Sequence, residues 1–144
     1  MSSQNASVET LLGVRPHGGE SRLALARSIQ KGLPVSTIER LADMVAPDDR
    51  SFKWQLIAKA TLERRKKSPS KLLTSEEGDR VARLAKVYSF ALDIYKEPAR
   101  AREFLSRPHA MLDGETPLNV AIGTGPGADV VINLLGRAAY GGGA

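Results

Sequence analysis

The chain has no cysteine and only two histidines, so it carries neither a disulfide framework nor a thiolate metal site. His17 and His109 stand far apart in sequence, and neither has a second ligand of its kind nearby. No metal centre is expected. Nor does any apolar run approach the roughly 20 residues that a bilayer-spanning helix needs. Met1-Ser2-Ser3-Gln4-Asn5 has neither the basic nor the apolar region of a secretory leader, and the expected location is the cytoplasm. Between Leu33 and Gly141 there is no convincing alternation of period two and no repeat of fixed length. Leu118 to Ile122 could be read as a strand, but Thr116 followed by Pro117 is a helix start. An all-α chain is predicted.

Catalytic signals are equally scarce. Serines and threonines are plentiful, but no histidine is placed to activate one. The paired carboxylates Asp48-Asp49 and Glu76-Glu77 fall at helix starts, where negative charge offsets the macrodipole. Gly123-Thr124-Gly125-Pro126-Gly127-Ala128 satisfies G-x-G-x-x-A, a pattern that binds dinucleotides when it follows a strand and an acid further on holds the ribose. Here no strand pattern surrounds it and no acid follows Asp129. These glycines read as a bend between helices. Neither an enzyme nor a cofactor is expected.

What is present is a chain of 144 residues with 42% hydrophobic residues, enough for one domain or two small ones, and a formal net charge of +5. The positive charge is concentrated: Lys53, Lys59, Arg64, Arg65, Lys66, Lys67 and Lys71 stand against the single acid Glu63. Such an excess is the footprint of a phosphate-binding surface, although a solvated basic face has the same composition.

Residues 1–19 are read as a loose arm, in which only Val8, Leu11, Leu12 and Val14 could pack. Glu20 to Lys31 is predicted as a helix with Leu23, Ala26 and Ile29 inward, ended by Gly32. Ser36-x-x-Glu39 fits a capping box for the next helix, whose inner face is Ile38, Leu41, Ala42 and Val45 and which Pro47 stops. Ser51 to Ile57 is predicted as a short helix. A tight joint at Ala58-Lys59 then leads into a second, Thr- and Arg-rich helix. Two short helices so joined form a helix-turn-helix, whose second helix presents Thr61, Arg64, Arg65, Lys66 and Lys67 to DNA, with Lys53 and Lys59 beside it. Ser68-Pro69-Ser70 marks the expected boundary. The predicted organisation is an arm (1–19), a helix-turn-helix domain (20–69) and a second helical domain (70–144).

The second domain opens with another capping box, Thr74-x-x-Glu77, followed by helical spacing at Val81, Leu84, Ala85, Tyr88, Ala91, Leu92 and Tyr95. A cluster at Ala101, Phe104 and Leu105 follows, then Pro108, the turn Asp113-Gly114, and an apolar helix from Ala128 to Ala139. This half is longer than DNA binding requires, and a surface for a protein partner accounts for the excess.

Ala101-x-x-Phe104-Leu105-x-x-Pro108-x-x-x-Leu112-x-Gly114-x-x-Pro117-Leu118, with Thr124-x-x-Gly127-x-x-x-Val131-x-x-x-Leu135, resembles the toxin-binding domain of the Xre/MbcA/ParS antitoxins. Ala60-Thr61-Leu62-x-Arg64-Arg65 is similar to the recognition segment of the family's Xre-like helix-turn-helix. Two positions depart from the family pattern. Phe104 stands where tryptophan is common, and Lys59-Ala60 where a Gly-Ile/Val-Ser turn is usual. The resemblance implies a type II antitoxin whose partner is a RES-domain toxin, a protein with an ADP-ribosyltransferase-like fold that degrades NAD⁺. It further implies a toxin-binding set of Phe104, Leu112, Gly114, Pro117, Leu118, Gly127, Val131, Arg137, Tyr140 and Gly141. The C-terminal residues from Arg137 onward would lie across the toxin's NAD⁺ pocket. It implies a homodimer that binds operator DNA and represses its own operon. A stand-alone dimeric helix-turn-helix regulator is the alternative.

Overall fold

The computed structural model describes residues 8–14 and 22–140, with the side chain of Tyr140 left aside. His17, the Gly18-Gly19 pair and Gly141 lie outside them. Among the described residues the chain is helical: α1 (Val8–Leu11), α2 (Arg22–Lys31), α3 (Ser36–Val45), α4 (Lys59–Lys67), α5 (Ser75–Tyr95), α6 (Pro98–Ser106), α7 (Pro117–Gly123) and α8 (Gly125–Tyr140). Two 3₁₀ turns, Phe52–Gln55 and Ala110–Leu112, complete the order. The one extended pairing among these residues is an isolated antiparallel bridge, Pro34 with Leu72.

The chain forms two compact units, and the division falls inside α5, between Ala82 and Arg83. The first unit is closed by backbone pairing. Val35 N donates to Lys71 O at 3.0 Å and Leu73 N to Leu33 O at 2.8 Å. Lys71 takes a positive φ of 55° to enter this bridge, and Gly32 turns out of α2 at φ 109°, where an added Cβ would lie 3.0 Å from that of Leu72. A side chain at Gly32 would meet both strain and crowding. Ser68-Pro69-Ser70 therefore lies within this unit, and the first turns of α5 belong to it. Ile38, Leu41, Phe52, Leu56, Leu62 and Leu73 are among its buried side chains.

Three local expectations are corrected in this unit. In α2 the buried residues are Ala24 and Ser28, whereas Leu23 is 61% exposed and Ala26 is exposed. The face is rotated because the inward contact is polar: Glu9 of α1 is buried and accepts a 2.6 Å hydrogen bond from Ser28 Oγ. The second concerns Ser36-x-x-Glu39, which forms no capping box. The N-cap residue of α3 is Val35, with no side-chain cap, and Glu39 turns to two lysines instead. The predicted helix from Ser51 to Ile57 is also shorter, a single 3₁₀ turn held by i→i+3 bonds such as Trp54 N to Ser51 O. Asp49 accepts from both the backbone and the hydroxyl of Ser51, which stabilises the turn before it. Those bonds hold its carboxyl below the usual range, the hydroxyl of Ser51 first among them.

At the start of α5 the capping box is complete: Glu77 N donates to Thr74 Oγ1 at 3.2 Å, and Thr74 N to Glu77 Oε1 at 2.9 Å. Val81, Leu84, Ala85, Tyr88 and Ala91 are buried as the spacing predicts, with Leu92 and Tyr95 half-buried.

The second unit is built on the C-terminal part of α5 with α6, α7 and α8. Thr116 caps α7 by accepting from Asn119 N at 3.1 Å, and Pro117 occupies the first turn. Asp113 (φ 57°) and Gly114 (φ 83°) make the left-handed turn before it. After α7 a single residue, Thr124, separates two helices, and its Oγ1 accepts from Gly127 N at 2.9 Å. The glycine-rich bend is thus a capped helix-to-helix corner, with no strand before it. Gly127 is required by proximity: a Cβ there would lie 2.3 Å from Val120 O. The α7–α8 corner is also tied from α5, because the Arg83 guanidinium donates to Ile122 O at 2.7 Å and to Ala121 O at 3.4 Å. These are orphan carbonyls of the last turn of α7, which a cation satisfies and whose dipole it complements.

Candidate functional site

In the first unit the basic residues fall into two groups. Lys59 begins α4 and is exposed, as are Arg64, Lys66 and Lys67, while Leu62 is buried and anchors the helix. Lys59, Arg64 and Lys67 make no ion pair among the described residues, so their charges face water.

The other group is engaged within the chain. Arg65 Nε donates to Glu77 Oε1 at 3.0 Å and Nη2 to Oε2 at 2.8 Å, a two-point pair with both side chains largely covered. The Glu77 carboxyl is held below its usual range, first by the Arg65 hydrogen bond, against an opposing effect of burial. Lys66 Nζ and Lys53 Nζ both reach Glu39 Oε2, at 2.8 and 3.3 Å. Glu39 is likewise held low, first by its hydrogen bond from Lys66. Lys53 Nζ also lies 5.0 Å from the centre of the Trp54 ring, within cation–π range.

Thr61 is half-buried and, with Ile57, Ala58 and Arg65, lines one side of a cavity of about 480 Å³ whose other side is the start of α5. Arg80 reaches back from α5 to Leu56 O at 2.8 Å and fixes the joint between the 3₁₀ turn and α4. The structure therefore brings the seven predicted DNA-facing residues onto the 3₁₀ turn and α4. It leaves Lys59, Arg64 and Lys67 outward, ties Lys53 and Lys66 to Glu39, and makes Arg65 a strut.

In the second unit the residues carrying the C-terminal pattern are mostly interior. Phe104, Leu112, Pro117 and Val131 are buried, Leu118 and Gly127 half-buried, and Gly114 exposed. These side chains shape the unit. The outward face of α8 carries Val130, 48% exposed, with Asp129, Asn133 and Arg137. Tyr140 ends α8.

Phe104 sits between two rings, 5.9 Å from Tyr95 and 5.6 Å from His109, distances typical of tilted aromatic packing. With Arg100, Glu103 and Arg107 these rings line a second cavity of about 330 Å³. His109 is accounted for by that packing, and its backbone N–H donates to Glu115 O at 3.0 Å. Among the described residues no cluster of His, Asp and Glu could hold a metal ion.

Glu39, Glu77, Arg80 and Arg83 organise these surfaces, a role that no sequence pattern marks. Glu39 and Glu77 were legible only as capping residues, because nothing local in the sequence marks a carboxylate that pairs across 12 to 27 positions. Arg80 and Arg83 look like ordinary solvent-facing cations in a long helix.

Residues 24–86 match the model of the antitoxin Xre-like helix-turn-helix domain, and residues 91–141 that of the antitoxin Xre/MbcA/ParS C-terminal toxin-binding domain. No significant match was found among curated proteins. The two domain matches follow one another along most of the chain. The first covers α4, held by its Arg65 strut to Glu77, and the second the α7–α8 corner built on Thr124 and Gly127. The chain belongs to the Xre/MbcA/ParS antitoxins.

Proposed function

We propose that this antitoxin neutralises a RES-domain, NAD⁺-degrading toxin by covering its active site with the end of α8 and the residues that follow, and that it represses its own operon as a DNA-bound homodimer in the cytoplasm. The observation that carries the reading is the C-terminal toxin-binding domain, whose last helix ends with exposed Arg137 in its final turn. A guanidinium at that end is suited to a cleft that binds the phosphates of a dinucleotide. The glycines after Tyr140 lack side chains and tolerate close approach to a cleft wall. The DNA role is supported by the helix-turn-helix match and by the outward cations Lys59, Arg64 and Lys67. Two such units reading half-sites one helical turn apart would multiply affinity. We assign no reaction to the antitoxin itself. No described helix is long and apolar enough to cross a membrane.

The test is co-expression with a RES-domain protein encoded beside this one, followed by affinity capture and an NAD⁺-consumption assay. A stable complex with NAD⁺ loss suppressed is the expected result. Absence of a complex, with NAD⁺ consumed at the toxin's full rate, overturns the reading.

A further inference from the structure

Two ammonium groups from the two arms of the helix-turn-helix converge on one oxygen. Lys53, in the 3₁₀ turn, and Lys66, in α4, both bond Glu39 Oε2, at 3.3 and 2.8 Å. Glu39 comes from α3, outside the two arms. In a helix-turn-helix the first arm crosses the DNA backbone while the second enters the groove. The point where both arms can present a cation to one acceptor is therefore a place for a phosphate oxygen. Glu39 Oε2 already occupies it.

We propose that Lys53 and Lys66 form a DNA-backbone phosphate site held closed by Glu39, so that DNA must displace an internal carboxylate to engage them. This rests on the DNA-binding reading given above. The pairs are exposed enough to exchange: side-chain exposures are 27% for Lys53, 49% for Lys66 and 43% for Glu39. Ion pairs of that exposure are weak and screened by salt, so a phosphate can replace the carboxylate at modest cost. Arg65 behaves differently: it holds Glu77 through two bonds, and that carboxylate is 13% exposed against 43% for Glu39, so this pair stays closed. The consequence for recognition is selective. A carboxylate that competes for two phosphate-binding lysines lowers affinity for any duplex, and so weakens the sequence-independent component of binding. Where base contacts compensate, the site opens. Elsewhere it stays shut.

The test measures binding of the full-length protein to a random-sequence 30-base-pair duplex by fluorescence anisotropy at several salt concentrations. Four proteins are compared: wild type, Glu39→Gln, Lys53→Gln/Lys66→Gln, and the triple variant. Glu63→Gln in α4 controls for the loss of one negative charge near DNA. Glu39→Gln is expected to bind about fivefold more tightly at low salt, a gain that shrinks as salt rises. It should exceed the gain of Glu63→Gln and should vanish in the Lys53→Gln/Lys66→Gln background. An equal gain with and without the lysines would mean that Glu39 merely repels DNA, and would overturn the proposal. So would no gain at all in a protein that otherwise binds the duplex. If neither wild type nor Glu39→Gln binds at any salt concentration, the DNA-binding reading itself is overturned, and the phosphate site with it.

Discussion

Arg65, in the helix that carries the recognition pattern, spends two guanidinium donors on Glu77 at the start of α5, at 3.0 and 2.8 Å. Glu77 Oε1 also accepts from Thr74 N, so a single carboxylate caps one helix and anchors another. The Arg-Arg pair in the sequence thus divides. Arg65 holds α4 in place, and Arg64 is left for a ligand.

Arg64 and Arg65 should therefore fail differently. Arg64→Glu is expected to weaken duplex binding by about tenfold or more with no change in melting temperature, since the exposed side chain makes no ion pair among the described residues. Arg65→Ala is expected to cost about 1–2 kcal/mol of stability, because a charge-assisted two-point pair is broken and Glu77 is left half-covered. Thermal melts and duplex titrations on the two variants decide it. Equal melting temperatures would contradict the strut.

The same pair predicts a pH dependence with a definite sign. The folded-state pKa of Glu77 is lowered from 4.5, chiefly by Arg65. Its contribution is then fully present above pH 4.5 and fades as pH falls through the folded value. Glu39 is lowered as well and acts in the same direction. Glu77→Gln should be less stable than wild type by about 1–2 kcal/mol at neutral pH, and the two proteins should converge in acid. Denaturant midpoints measured across that range test this. A gap that widens in acid would refute the linkage.

The α7–α8 corner supplies a steric test. Gly127→Ala places a Cβ 2.3 Å from Val120 O, backbone that cannot step aside as a side chain can. A loss of about 2–3 kcal/mol is expected, from overpacking at a close backbone approach. Gly136→Ala is the control, because among the described residues nothing beyond its own helix backbone and chain neighbours lies within 4 Å of its would-be Cβ. There alanine should be neutral or stabilise α8 by up to about 1 kcal/mol, as in any helix interior. Melting temperatures that order the variants the other way would contradict the corner as described.

How far the sequence disclosed all this depended on the reach of each signal. Thr74 with Glu77 and Thr116 with Pro117 declared their helix starts because every partner lies within three residues. Thr124 with Gly127 stood out as a pattern for the same reason, although the need for glycine comes from Val120 O across the corner. Ser36-x-x-Glu39 misled, since the same spacing was available but Lys53 and Lys66 offered Glu39 a stronger claim from 14 and 27 residues away. The α2 face was misplaced because periodicity counts apolar residues, and here a buried Glu9–Ser28 contact turns the helix. Phe104, Leu112, Pro117 and Val131 carried the resemblance as fixed positions in a pattern. Burial explains why they suit a pattern better than a surface. Composition located the basic cluster, but which cations face outward depends on where the carboxylates of α3 and α5 fall in space.

Removing the end of α8 should separate folding from neutralisation. Leu134 and Leu135 are buried whereas Arg137 and Ala139 are exposed, so deletion of 137–144 leaves the core side chains of the second unit in place. The truncated protein is expected to melt within a few degrees of wild type and to bind duplex DNA as wild type does. Circular dichroism and the duplex titration check both.

The most direct measurement of the central claim is the NAD⁺-consumption rate of a purified partner RES-domain toxin, titrated with wild-type antitoxin, Arg64→Glu and the 137–144 deletion. Full inhibition is expected from wild type and from Arg64→Glu, with the toxin left active by the deletion. Inhibition by the truncated chain equal to wild type, or its loss in Arg64→Glu, would contradict the assignment of toxin cover to the second unit and DNA contact to the first.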